Sequence, residues 1–192
     1  MITVGVLALQ GAIAEHINCL KKLPAVTVRE VKTLADLNSI DGLILPGGES
    51  TAMGKILDYF NLLEPIAQKI KDGLPVWGTC AGMILLAKNI SNQAETYFAT
   101  MDITVKRNAY GSQLDSFQTD INLPEISNNP IPLIFIRAPY IEVAQEHVEV
   151  LAKIDNNIVA AKQDNMLVTS FHPELTQDLS WHKYFCNMIL HK

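Results

Sequence analysis

The chain has 192 residues, 48% of them hydrophobic and 18% charged, and a formal net charge of −5 at pH 7. This composition fills one full core and excludes a disordered chain, and an acidic balance without any basic run excludes a nucleic-acid binder. Its cysteines, Cys19, Cys80 and Cys186, are odd in number and far apart with no CxxC, which excludes a disulfide scaffold or zinc framework and fits a reducing, cytoplasmic compartment.

Ile2 to Leu9 is a near-continuous apolar run, as in a strand covered on both faces. It lacks a basic n-region, so it reads as a first strand rather than a secretory leader. No apolar run reaches membrane-spanning length, so no membrane partner is expected. Gln10-Gly11 breaks the run. Ile13, Ile17 and Leu20 then mark a helix to about Leu23, stopped by Pro24. Val26 to Val31 reads as a second strand and Leu34 to Ile40 as a short helical or turn segment. Asp41-Gly42 opens a third strand, Leu43-Ile44-Leu45. This βαβαβ order is the signature of an open α/β sheet.

Pro46-Gly47-Gly48-Glu49-Ser50-Thr51 follows the third strand. Met53, Ile56, Leu57 and Phe60 mark the next helix, with Ser50 or Thr51 as its N-cap. Leu63, Ile66, Ala67 and Ile70 mark another. After the turn Asp72-Gly73 comes the stretch Leu74 to Ala87. It starts as a short strand and continues as a helix through Met83, Leu86, Ala87 and Ile90, with Cys80 at the changeover.

Ile103 to Arg107 and part of Gln113 to Ile121 alternate apolar and polar. Ile131 to Ile136, Val148 to Ile154, Ile158 to Lys162 and Met166 to Phe171 look like further strands, and this part of the chain reads as antiparallel additions to the main sheet. The last element is a helix with Trp181, Tyr184, Phe185, Met188 and Ile189 on one face. The pattern predicts a single domain over residues 1–192. Its fold class is α/β: a three-layer, flavodoxin-like open mixed sheet, mostly parallel with antiparallel additions, flanked by helices.

In such sheets ligands bind at the C-terminal strand edge, and three segments fall there. Cys80 lies between Gly78 and Gly82, a strand–nucleophile–helix turn with Cys in the place of Ser. Small neighbours let the backbone turn sharply and keep walls away from the central side chain. A helix N-terminus favours thiolate over thiol. Phe171-His172-Pro173-Glu174 ends another strand. His172 is a candidate base, and Glu174, two residues on, points the same way if that stretch stays extended. The other histidines, His16, His147, His182 and His191, read as surface or helix residues. Gly47-Gly48 offers backbone that can approach a ligand closely and present an N–H to a developing oxyanion. Taken singly, each has a plainer reading: a buried thiol, a structural His, a surface acid, an ordinary turn.

Taken together and in order, these motifs resemble the class I (triad) glutamine amidotransferases. Gly5 to Gly11, Glu15-His16, Val105 to Gly111, Asp115-Ser116-Phe117 and Phe135 to Pro139 bring the resemblance closest to the glutaminase subunits of pyridoxal 5′-phosphate synthases. Ser112 and Gln118 depart from that pattern, which has a basic and an acidic residue there. The resemblance implies that Cys80 attacks the side-chain amide of L-glutamine and forms a γ-glutamyl thioester. It makes His172 the general base and then acid, with Glu174 orienting it. Gly48 and Ala81 would form the oxyanion hole, and Gly47, Gly48, Glu49, Arg107, Ile136 and Arg137 would hold the substrate. An acidic group or carbonyls suit the glutamine ammonium, and Arg suits its carboxylate. No metal and no cofactor are implied. The partner implied is the synthase's separate lyase subunit, in a hetero-oligomer that takes up the ammonia. The rival readings are a glutaminase of another pathway, a cysteine peptidase or glyoxalase-type hydrolase, and a non-enzymatic scaffold.

Overall fold

The computed structural model describes residues 1–107 and 116–191. The motif residues Asn108, Ala109, Tyr110, Gly111, Ser112 and Asp115 lie outside the described residues. The first half runs β1 (Ile2–Leu7), α1 (Ile13–Leu20), β2 (Val26–Val31), α2 (Leu34–Leu37), β3 (Gly42–Leu45), α3 (Ser50–Tyr59) and α4 (Leu63–Lys71). It continues through β4 (Val76–Thr79), α5 (Ala81–Leu86), β5 (Ala87–Ile90) and β6 (Met101–Lys106). The second half holds β7 (Phe117–Ile121), β8 (Ile131–Phe135), β9 (Tyr140–Ala144), β10 (Glu149–Ile154), β11 (Asn157–Gln163), β12 (Met166–Thr169) and α6 (Ser180–Leu190).

The main sheet has the order β2-β1-β3-β4-β12-β11-β9-β6-β5, with β10 paired to β11. Its first five strands are parallel. Their order is that of a flavodoxin-like sheet, with β12 as the fifth strand. β3, β4 and β12 are buried along their whole length. Side chains alternate between two cores, as the pleat requires. Leu43, Leu45, Val76 and Val168 pack with Met53, Leu57 and Ile66 of α3 and α4. Ile44, Trp77 and Leu167 pack with Leu20 of α1 and Trp181 and Phe185 of α6. The mixed α/β sheet between helical layers is therefore the architecture the periodicity predicts. Among the described residues no helix is long and apolar enough to cross a membrane.

Four elements differ from expectation, one of them β9, which the sequence pattern does not predict. The helix after Cys80 ends at Leu86, and Ala87 to Ile90 is a strand beside β6. A register shift between Ala87 and Asn89 turns both Ala87 and Ile90 inward, so a strand reproduces the three-residue spacing of a helix. β12 joins the parallel core beside β4 and contacts its antiparallel neighbour β11 on the other side. β7 and β8 form their own two-stranded sheet rather than extending the main one. Stacked rings of Phe117 and Phe135, with Phe171 and Trp181 beyond, fasten that hairpin to the core. Gln118 is exposed on β7.

Candidate active site

Adjacent strands β1, β3, β4 and β12 end along one edge, and the loops that leave them build the site. Cys80 follows β4 with φ 47° and ψ −101°. Non-glycine residues hold such left-handed backbone only where their surroundings fix it. Here the Cys80 N–H donates to the Thr169 carbonyl of β12 at 2.8 Å. A Cβ on Gly82 would lie 2.1 Å from the Leu45 carbonyl oxygen, and one on Gly78 would lie 2.5 Å from the Gly82 carbonyl. The two glycines thus let α5 press onto β3 and β4. Their role is backbone contact rather than open space around the thiol.

His172 follows β12, and its N–H donates to the Ile134 carbonyl of β8 at 2.8 Å. Its Nδ1 meets Oε1 of Glu174 at 2.7 Å. The segment Pro173–Leu175 is a turn of 3₁₀ helix, not extended chain. The rigid proline and the tight turn bring the two side chains together. The Cys80 side chain lies beside the same imidazole: a Cβ on Gly47 would sit 2.4 Å from His172 Cε1 and 3.4 Å from Cys80 Cβ. With Nδ1 held by Glu174, Nε2 is the nitrogen left for the sulfur.

Burial alone would lower the His172 pKa, but hydrogen bonds to Cys80 and Glu174 and their charges outweigh it and raise the pKa to about 10. Burial works against the Glu174 charge in the same way. His16 and His172 outweigh that effect and keep Glu174 below the usual carboxylate value.

A cleft of about 560 Å³ opens in front of Cys80 and His172. Gly47, Gly48, Glu49, Ala81, Arg107, Ile136 and Arg137 all line it, so the structure brings together every residue predicted to touch substrate. Glu174 is fully buried behind the imidazole and does not face the cleft. Gly47 leaves room for the ring, since a Cβ there would sit 2.4 Å from His172 Cε1. The Gly47 carbonyl accepts from the Ala12 N–H at 2.9 Å, which turns the Gly48 N–H to the opposite side of the trans peptide.

Glu49, not Ser50 or Thr51, caps α3. Its carboxylate accepts the Thr51 and Ala52 N–H groups at 3.0 and 2.7 Å. Glu49 stands one residue before Ser50, at the N-cap position itself, from which a side-chain oxygen reaches the orphan N–H groups of the second and third helical residues. Burial opposes its charge, but those N–H groups and Arg107 hold its pKa below the usual value. Arg107 donates to Glu49, Gln93 and Thr51 at 3.2, 2.8 and 3.3 Å. Arg137 stands exposed at the mouth, itself in left-handed backbone at φ 43°.

The sequence reading passed over three residues. Gln10 lines the cleft and accepts the Glu49 N–H at 2.9 Å, which clamps the Gly47-Gly48 loop. His16, 3.4 Å from Glu174, and His182, 3.1 Å from His16, are fully buried and are not surface residues. Their helical spacing with Cys19 and Leu20, and with Phe185 and Cys186, was the available signal.

Comparison with known proteins agrees with this geometry. Residues 6–191 match the SNO glutamine amidotransferase family. A protein of Ruminiclostridium cellulolyticum named pyridoxal 5′-phosphate synthase subunit PdxT is 56% identical over 186 residues, covering 97% of this chain and 98% of that protein. Its namesake in Clostridium botulinum is 55% identical over 190 residues, covering 99% and 98%. A crystal structure described as a glutamine amidotransferase superimposes with a TM-score of 0.91 at 38% identity, covering 97% of this chain and 98% of that one. A glutamine amidotransferase of Thermotoga maritima shares the fold, with a TM-score of 0.64 at 12% identity, covering 99% of this chain and 84% of that one. With a cysteine, a histidine and a carboxylate in contact at a strand edge, and a match spanning nearly every residue, the chain belongs to the SNO glutamine amidotransferase family.

Proposed function

We propose that residues 1–192 form one glutaminase domain that hydrolyses L-glutamine to L-glutamate and ammonia. The ammonia passes to the lyase subunit of a pyridoxal 5′-phosphate synthase, bound in a hetero-oligomer. The observation that carries the chemistry is the buried His172–Glu174 contact at 2.7 Å, with the Cys80 side chain beside the same ring. The names of the two bacterial relatives support the choice of partner. Three unpaired, buried cysteines suit a cytoplasmic setting.

In this reading the Cys80 sulfur attacks the side-chain amide carbon, with its proton held on His172. Negative charge gathers on the amide oxygen, where the Gly48 and Ala81 N–H groups receive it. One such donor is worth about 10²–10³ in kcat. The C–N bond breaks as His172 gives its proton to the departing nitrogen. This leaves ammonia and a γ-glutamyl thioester on Cys80. Water then attacks the thioester, His172 takes its proton, and the C–S bond breaks to release glutamate. Glu174 stays ionised and stabilises the imidazolium throughout. Glu49 receives the substrate ammonium, Arg137 its carboxylate, and Ile136 walls the stem. Arg107 anchors Glu49 from the side.

Free ammonia is protonated in water and lost to synthesis, so the domain works fastest when its partner is bound. The test is steady-state glutamate release by the purified chain, titrated with the synthase lyase subunit. A rise in kcat on complex formation is expected. No glutamine hydrolysis in the complex would overturn the reading.

A further inference from the structure

Behind the triad lies a polar group that the mechanism above does not use. His16 on α1 and His182 on α6 are fully buried, and they meet Nδ1 to Nε2 at 3.1 Å. His16 Nε2 faces Oε2 of Glu174 at 3.4 Å and Thr79 Oγ1 at 3.2 Å. Trp77 stands edge-on to both imidazoles, at 5.6 and 5.0 Å between centroids. Among the described residues Oε2 of Glu174, which His172 does not use, has no hydrogen-bond partner, although His16 Nε2 stands 3.4 Å away. A buried carboxylate oxygen is costly to leave without a donor.

Proton positions in the two rings follow from this arrangement. Burial pushes both imidazoles toward the neutral form. Glu174 and Glu15 oppose this at His16, whereas His172 reinforces it there, and Lys22 reinforces it at His182. Two neutral rings share one hydrogen in their contact. If His16 donated it from Nδ1, His182 would carry its own proton on Nδ1, which is buried without a partner among the described residues. The His16 Nε2 lone pair would then face the carboxylate of Glu174. If His182 donates from Nε2 instead, its bare Nδ1 is only an acceptor, and His16 must carry its proton on Nε2, which faces Thr79 Oγ1 at 3.2 Å and Glu174 Oε2 at 3.4 Å. Only the second arrangement gives every ring proton an acceptor.

We propose that His16 is a positioning residue for glutamine hydrolysis: seated on His182, it donates Nε2–H to Oε2 of Glu174 and so locks the carboxylate onto His172. This rests on the glutaminase reading above. Gripped at both oxygens, Glu174 cannot turn away, and it stays ionised when His172 becomes imidazolium. The ionisable groups facing His172 are Cys80 and Glu174, with His16 beyond. Loss of the His16 donor weakens support for the imidazolium and lets His172 lose its proton at lower pH.

The experiment compares wild type, His16→Leu and His16→Gln, each in complex with the synthase lyase subunit. Leu removes the donor at similar volume, and the Gln amide N–H reaches the place of Nε2. His16→Leu should lower kcat about 10–100-fold, the loss of one charge-assisted hydrogen bond. KM for glutamine should change less than about twofold. The basic limb of kcat/KM should move down by about one pH unit, and His16→Gln should recover most of both effects. A folded His16→Leu enzyme with unchanged kcat, or equal losses in both variants with an unmoved limb, would overturn the proposal. Should His16→Leu not fold, imidazole ¹⁵N NMR of the wild-type chain decides. His16 neutral with its proton on Nε2 is required, and a proton on Nδ1 or a charged ring at neutral pH would overturn it. Wild type that fails to hydrolyse glutamine in the complex contradicts the glutaminase reading instead and leaves the NMR result standing.

Discussion

His172 Nδ1 and Glu174 Oε1 are 2.7 Å apart although only Pro173 separates the two residues in sequence. Side chains at i and i+2 of a strand share a face but stand about two residues' rise apart, too far for this contact. The 3₁₀ turn at Pro173–Leu175 closes that gap and buries the carboxylate completely. The carboxylate is thereby built into the same short loop as the imidazole, and neither depends on a distant segment to find the other.

Cys80→Ala should remove glutamine hydrolysis by about 10⁴-fold or more, since the nucleophile belongs to a set that acts as a unit. The fold should survive, because the turn is held by backbone groups of Thr169, Gly82 and Leu45 rather than by the sulfur. Glutamate release and thermal melting of the variant check both halves.

His172→Asn should be nearly as damaging as Cys80→Ala. Glu174→Gln should lose roughly one to two orders of magnitude less, because it orients and stabilises without reacting. The double variant Cys80→Ala/His172→Asn should be no slower than either single one. Residual activity far below both would mean the two residues act independently.

Glutamine should be hydrolysed at least about 10²-fold faster than asparagine, judged by kcat/KM. Glu49 is fixed by the α3 N–H groups and by Arg107, so the ammonium end of the substrate sits at a set distance from Cys80. A substrate one methylene shorter cannot satisfy both ends, and small misplacements of this kind are costly in rate. Equal kcat/KM for the two amides would contradict the assignment.

Gly82→Ala should destabilise the fold by about 2–4 kcal/mol, because the new Cβ would collide with the backbone oxygen of Leu45 at 2.1 Å and not with a movable side chain. Chemical denaturation measures this directly. A change within about 0.5 kcal/mol would mean that α5 can lift off β3 without loss.

Asp102 on β6 accepts hydrogen bonds from Lys88 of β5, His147 of the β9–β10 connection and Gln163 of β11, and these hold its pKa well below the usual carboxylate value. A depressed folded-state pKa contributes stability above the unfolded value near 4, and that stability is lost as pH falls further. Asp102→Asn should therefore cost about 1 kcal/mol at neutral pH, at the low end because Lys88 and His147 are half exposed. The difference from wild type should shrink below pH 4 in acid-unfolding curves.

The parallel half of the fold was legible because β1, β3, β4 and β12 are buried on both faces and so carry unbroken apolar runs. The cluster of Cys80, His172 and Glu174 was legible as a candidate triad because its members sit at the ends of such runs. β9 was missed since Tyr140–Ala144 is half exposed and carries Glu142 in its middle. The strand at Ala87–Ile90 was masked by its bulge, which imitates helical spacing. The pairing of β7 with β8 depends on rings of Phe171 and Trp181 that are remote in sequence. His16 and His182 meet across 166 residues, a contact that no local pattern encodes. Arg107 and Glu49 are legible as candidate site residues, but their mutual pairing, and the capping of α3 by Glu49, depend on how the fold brings the end of β6 to the start of α3.

The most direct test of the account is to treat the complex with a glutamine-shaped electrophile and map the modified residue by peptide mass spectrometry while following glutamate release. The account predicts one modification, on Cys80, that excess glutamine prevents and that abolishes hydrolysis in proportion to its extent. Labelling of Cys80 with hydrolysis undiminished, or loss of hydrolysis with the label on another residue, would contradict it.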